Sequence, residues 1–182
     1  MMPKAIQSRC CDNTVEMKIL VIGLGNPILG DDGVGWKVAE AVSEYLTSTT
    51  SHFLKGDSNN IEVDCASLGG LSLMERMIGY DRVILIDSME TGGNTVGSVR
   101  AFPLAALENP RLGHSASTHD ASLMTALQTA QTMGMDVPSR VHVVAIEAKN
   151  VYDFSENLSS EVERAVPIAT QRVLQLLKED LT

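Results

Sequence analysis

Three short stretches carry the residue types able to do chemistry. The first is Gly23-Leu24-Gly25-Asn26-Pro27-Ile28-Leu29-Gly30-Asp31-Asp32-Gly33, a glycine-rich loop that ends in two acids. It starts as G-x-G, but the third position of the dinucleotide fingerprint holds Ile28. Gly25 and Gly30 have the outer spacing of a P-loop, yet Asp31 and Asp32 stand where Lys and Ser or Thr belong. Two carboxylates at the mouth of the loop repel a polyphosphate, which leaves a nucleotide-binding module as the weakest reading. Taken alone, Asp31 reads as a cap for the following helix and Asp32 as a solvated acid in its first turn. The second stretch is Arg82–Asp87, an apolar run that ends in an acid; alone, Asp87 is a cap or turn residue leading into Ser88-Met89-Glu90. The third is Ser117-Thr118-His119-Asp120, which places an imidazole at a helix start where Thr118 or Asp120 can cap. Together, Asp32, Asp87 and His119 offer two hard carboxylates and one imidazole. That is a partial metal shell with room for a water or a substrate group, and zinc, nickel, manganese or iron would each suit it.

The elements expected to position these groups alternate between strand and helix. Lys18–Ile22 is a short apolar run rich in β-branched residues and bounded by glycine, as a buried strand reads. After the glycine loop, Val34, Val38, Ala41, Val42, Tyr45 and Leu46 fall on one helical face. Ile61–Ala66 reads as a second strand, Gly70–Met77 as a short helix and Arg82–Asp87 as a third strand. Val96–Phe102 follows a Gly-Gly-Asn turn and is expected to run back antiparallel to that third strand. His119–Met133 is helical, with Leu123, Ala126, Leu127 and Ala130 inward and Gly134 as its stop. Val141–Ile146 is a fifth strand. Ser160 and Glu163 form a capping-box pattern that opens a long last helix, in which Pro167 implies either a later start or a kink. The expected fold is α/β: a three-layer α/β/α sandwich around a five-stranded, mostly parallel twisted sheet with one antiparallel strand. In such sheets the site lies beyond the carboxyl ends of the strands, which selects the loops Gly23–Asp32, Asp64–Gly70 and Asp87–Thr91.

Other candidates are weaker. Asp64, taken to end the second strand, is a spare acid that is equally a turn residue. His114 lies in a loop and is a possible substrate contact, whereas His52 and His142 read as solvated or structural. Cys65 reads as a small apolar core residue. No Gly-x-Ser-x-Gly elbow supports serine hydrolase chemistry.

Composition narrows the classes. The 182 residues are 44% hydrophobic and 20% charged, ordinary for a globular chain, and suit one domain over residues 18–182 behind an arm at residues 1–17. Fourteen Lys and Arg against 23 Asp and Glu give a net charge of −9, which argues against a nucleic-acid partner. No apolar run is long enough to span a membrane, and residues 1–17 lack the apolar centre of a signal peptide. The three cysteines, Cys10, Cys11 and Cys65, show no Cys-x-x-Cys spacing, so a reducing cytoplasm is the expected compartment.

With these residues in view, the chain resembles the hydrogenase maturation endopeptidases, which process the large subunit of nickel–iron hydrogenases. The resemblance rests on Ile19–Asn26 with Asp31-Asp32-Gly33-Val34-Gly35, on Val83–Asp87, and on His119 followed by Leu123, and it spans about Met17 to Leu177. It implies an endopeptidase that removes a short C-terminal extension from the nickel-loaded large-subunit precursor. It also implies that Asp32, Asp87 and His119 are the metal-binding and catalytic residues, with Asp32 where some relatives carry Glu. Gly25, Asn26 and Asp64 are then candidate substrate contacts. The metal is expected to be nickel, brought by the precursor or bound at the site, or another divalent ion such as zinc. Transient engagement of a large precursor fits a monomer. The alternative is a non-catalytic nickel-checking chaperone or binding module for the same precursor.

Overall fold

The computed structural model describes residues 17–48, 60–108 and 118–181. Five strands form one sheet: β1 (Ile19–Leu24), β2 (Ile61–Ala66), β3 (Arg82–Met89), β4 (Val99–Pro103) and β5 (Arg140–Glu147). Four helices accompany them: α1 (Val34–Ser48), α2 (Gly70–Met77), α3 (Thr118–Thr132) and α4 (Ser160–Leu181). The strand order is β2-β1-β3-β5-β4, parallel except for β4. β1 is buried along its whole length, as expected of a strand with neighbours on both sides and helices on both faces.

Alternation along the strands sorts the core into two layers. Ile19, Val21, Ile84, Ile86, Val144 and Ile146 pack with α1 and α4 on one face. Leu20, Ile22, Val83, Leu85, Val143 and Ala145 pack with α2 and α3 on the other. The α/β/α sandwich is as the apolar runs imply. No helix among the described residues is long and apolar enough to cross a membrane.

Two expectations are corrected. The antiparallel strand exists, but it pairs with β5, with Val99 opposite Ile146 and Phe102 opposite Val143, and not with β3. The edge of β3 is already taken by β5 in parallel register, Ile84 opposite His142, so the chain after Gly92–Asn94 crosses past β5 before it can pair. The last helix does start at Ser160 and contains Pro167, but the capping box does not form. Ser160 Oγ donates to Glu161 instead, and the Glu163 amide bonds the Ser159 carbonyl at 2.8 Å. Gly134, in contrast, stops α3 as expected: it takes φ +75°, and the Met135 amide closes back on the Ala130 carbonyl at 3.0 Å.

Candidate functional site

The glycine loop is folded back on itself by its own amides. The Leu29 amide bonds the Asn26 carbonyl at 3.0 Å and the Asp32 amide bonds the Leu29 carbonyl at 3.1 Å. Asn26 Oδ1 accepts the Ile28 amide at 3.2 Å, an Asx turn. Gly25 has φ +114°, and a Cβ there would lie 1.9 Å from the Asp32 carbonyl oxygen, so only glycine fits. The Asn26 amide donates to Asp32 Oδ2 at 2.7 Å. Amides that a phosphate loop would aim at its ligand are therefore spent on the loop's own carboxylate and carbonyls, which removes the physical basis of the nucleotide reading.

Close backbone approach then sets where the loop sits. A Cβ on Gly35 would lie 2.2 Å from the Leu24 carbonyl oxygen and 2.5 Å from that of Ile86. The start of α1 thus rests directly on the ends of β1 and β3, and Asp32 is carried over the carboxyl edge of β3. There Ser88 Oγ donates to Asp32 Oδ1 at 3.0 Å. Both oxygens of this half-buried carboxylate are oriented by protein donors, and each keeps a second lone pair for another partner.

The neighbouring acid has a different job. Asp31 is fully buried, and its carboxylate accepts from the Asn150 amide at 3.2 Å, the Ser159 amide at 2.7 Å and Ser159 Oγ at 3.0 Å. Asp31 therefore caps α4 from across the chain rather than the helix it precedes. The Gly30 amide to the Ser155 carbonyl, at 2.7 Å, and the Ser155 amide to the Ile28 carbonyl, at 3.1 Å, complete the clamp between the two loops.

Asp87 and Ser88 stand at the end of β3, paired in register with Ala145 and Ile146. Val83, Leu85 and Met89 pack on the α2/α3 face, so alternation assigns Asp87, half-buried, to that face and Ser88 to the α1 side. His119 is the second residue of α3, on the same layer as Asp87, and its imidazole lies outside the described side chains. One turn further on, Ser122 Oγ lies 3.0 Å from where a Cβ on Gly70 would be, so the start of α3 lies beside the loop that follows β2. Among the described residues no three His, Cys, Asp or Glu side chains gather as a metal shell. Asp32 and the end of β3 are brought together; the third member is positioned only as far as its helix. The donor set of two carboxylates and one imidazole suits a borderline divalent ion, and the hydrogen bonds to Asp32 are of the kind that orient a ligand.

Asp64 is placed otherwise. It lies in the middle of β2, opposite Ile22, two residues before the strand ends. Its Oδ2 pairs with Arg76 Nε at 2.8 Å and its Oδ1 accepts the Cys65 amide at 2.8 Å. Arg76 also bonds Glu62 and, at 3.0 Å, the Tyr80 hydroxyl, so these groups tie β2 to α2. Burial raises the Tyr80 hydroxyl above its ordinary pKa, with Glu62 adding to the shift. Cys65 packs half-buried against the α1 layer, and burial followed by the charges of Glu40 and Asp64 pushes its thiol up. His142 is half-buried in β5. Cys10, Cys11, His52 and His114 lie outside the described residues.

One organising residue escaped the sequence reading. Glu147, 3% exposed at the end of β5, accepts the Thr91 and Gly92 amides at 2.9 and 3.1 Å, the Thr91 hydroxyl at 2.8 Å and Asn94 Nδ2 at 3.3 Å. It fixes the chain that leaves β3 after Met89, two residues beyond Asp87. The signal was present, because an acid ending the apolar run VHVVAIE is the same pattern that singled out Asp87.

Comparison with known proteins follows the same lines. The family model described as HycI, hydrogenase maturation protease, matches residues 51–176. The hydrogenase 2 maturation protease of Escherichia coli K12 is 26% identical over 165 residues, covering 90% of this chain and 92% of that protein. A hydrogenase expression/formation protein HupD of Rhizobium leguminosarum is 23% identical over 161 residues, covering 88% of this chain and 74% of that protein. Among solved structures, the hydrogenase maturating endopeptidase HybD of E. coli superposes with a TM-score of 0.70 at 23% identity, covering 90% of this chain and 94% of that one. The [NiFe] hydrogenase maturation protease HybD of Thermococcus kodakarensis gives a TM-score of 0.61 at 21% identity, with 88% and 99% covered.

Proposed function

The chain belongs to the hydrogenase maturation protease family, and from that premise we propose that it removes a short C-terminal extension from the nickel-loaded large-subunit precursor of a nickel–iron hydrogenase. The observation that carries this reading is the Ser88–Asp32 hydrogen bond at 3.0 Å, which joins the loop acid to the strand end that bears Asp87. Asp32, Asp87 and His119 form the catalytic group. The precursor's nickel, part of the substrate, docks against them and brings the neighbouring peptide bond into reach. A divalent ion such as nickel or zinc resident at the same residues would instead polarise the scissile carbonyl and acidify a water.

The chain's own contribution is positional and basic. The Asn26 amide and Ser88 Oγ hold the Asp32 carboxylate in one orientation, which fits it to take a proton from the attacking water. Water adds hydroxide to the carbonyl carbon, the C–N bond breaks and the proton passes to the departing amine. Gly25 and Asn26, beside the Asp32 carboxylate, contact the substrate backbone. Asp64, engaged by Arg76, serves substrate binding indirectly, by tying β2 to α2. Cytoplasmic location and a monomeric state complete the reading; the cysteine spacing supports the first and the transient nature of the encounter the second.

The test is a mass spectrum of large-subunit precursors after incubation with the protein, with and without nickel in the precursor. Loss of a short C-terminal peptide from the nickel-loaded sample alone supports the processing reading together with nickel sensing. Cleavage of both samples keeps the protease and removes the sensing. Binding without cleavage in a panel of precursors moves the chain to the nickel-checking module.

A further inference from the structure

The carboxyl edge of the sheet exposes large apolar side chains that the fold itself leaves uncovered. Tyr152 is 80% exposed, Phe154 86% and Ile28 47%. Tyr152 and Phe154 stand among only seven aromatic residues in the chain, one Trp, three Tyr and three Phe. Leu68 and Leu71, 42% and 61% exposed, follow β2 on the same edge, and Ser67 Oγ ties that loop to the Gly25 carbonyl at 2.6 Å. These five make up most of the eight exposed large apolar side chains among the described residues.

The aromatics are not on a slack loop tip. Leu29 and Ser155 form a parallel bridge, so Ile28 and Phe154 are neighbours across it. The Asp31 carboxylate and the Gly30–Ser155 and Ser155–Ile28 bonds clamp the segment from both sides. A surface already ordered loses little conformational freedom when a partner lands on it. The clamp also ties this rim to the loop that ends in Asp32, four residues from Ile28, so the rim adjoins the candidate site. Acids are interleaved with the aromatics: Asp153 and Glu156 are exposed in the segment, against Lys149 alone.

We propose that Ile28, Tyr152 and Phe154 form the docking rim for the precursor's C-terminal extension, an extended peptide with apolar side chains and basic neighbours. The inference rests on the processing function above and adds what recognises the tail. Apolar anchors take its side chains, and Asp153 and Glu156 attract its positive charges.

The test compares wild-type protein with the double variant Tyr152→Ser/Phe154→Ser on nickel-loaded precursors, with the mature subunit, already trimmed, as a competitor. Loss of two aromatic anchors that the docked tail would cover is expected to raise KM at least about tenfold with kcat within about twofold of wild type. The inhibition constant of the mature subunit is expected to be unchanged, because that competitor lacks the tail. Asp153→Lys/Glu156→Lys is expected to raise KM as well, and less so at high salt. An unchanged KM in the aromatic variant, with its circular dichroism and melting intact, overturns the docking rim while the processing function stands. An inhibition constant that rises in parallel with KM overturns the tail as occupant and moves the contact to the body of the subunit. Failure of the wild-type protein to cut any precursor overturns the processing reading, and this inference with it.

Discussion

Replacing Asp31 by alanine removes a carboxylate that no solvent reaches and that accepts three hydrogen bonds from the far loop. Two backbone amides and one hydroxyl lose their acceptor. A buried donor left unpaired costs about 1–3 kcal/mol, and hydrogen bonds to a charged group lie at the upper end of that scale. The negative charge beside the start of the 22-residue α4 is lost too, about 0.3–1 kcal/mol more. Ser159 is half-buried and Asn150 exposed, so part of the loss is recovered by water. The expected destabilisation is about 3–5 kcal/mol, a large share of the ~5–15 kcal/mol that holds a domain folded. Asp32→Ala serves as the control, one residue away. Its carboxylate is half-buried, and its two donors, on the half-buried Asn26 and Ser88, are within reach of water, so the expected cost stays below about 2 kcal/mol. Urea unfolding reads both. With a slope of about 2 kcal/mol per molar, Asp31→Ala lowers the midpoint by roughly 1.5–2.5 M and Asp32→Ala by less than about 1 M. At saturating precursor, processing moves in the opposite order, lost in Asp32→Ala and retained in the folded fraction of Asp31→Ala. A midpoint for Asp31→Ala within about 0.5 M of wild type would refute the buried clamp. Equal activity losses in the two folded proteins would refute the division of labour between the acids.

Further outcomes follow from the same geometry. Asp87→Ala and His119→Ala are expected to reduce processing at least about a thousandfold while the unfolding midpoint stays near wild type; residual activity within tenfold in either one removes that residue from the catalytic group. Gly35→Ala drives a methyl into the Leu24 and Ile86 carbonyls at 2.2 and 2.5 Å, neither of which can swing away, and is expected to cost more than about 3 kcal/mol; a melting temperature within a few degrees of wild type contradicts the packing argument. Because burial raises the Cys65 pKa, less of it is thiolate at pH 8 than in a free cysteine. Peptide mass mapping should therefore show its alkylation by iodoacetamide at least about tenfold slower in the native protein than in urea; equal rates would place the thiol in solvent.

The sequence by itself determined the elements and their layering. Runs such as ILVI and RVILI are short and rich in β-branched residues, as strands covered on both faces are, and the Leu123–Ala130 spacing is that of a helix with one buried stripe. It also determined which acids were worth following, since Asp32 and Asp87 stand where strands or loops open at the carboxyl edge. Strand partners were another matter. A Gly-Gly-Asn turn signals a reversal without saying which edge is vacant, and β4 found β5 because β3 was already paired on both sides. Local pattern likewise assigned Asp31 to its own helix and Ser160 to a capping box. In the folded chain Asp31 and Ser159 satisfy each other from 128 residues apart. Asp64 and Asp87 look alike along the chain, each an acid near the end of an apolar strand. Only tertiary packing separates them, by setting Arg76 against the first and Ser88 with the Asp32 loop beside the second. Propensity and periodicity act over a few residues and are legible in one dimension. Which buried carboxylate finds which donor depends on contacts between distant segments, and those exist only once the layers have closed.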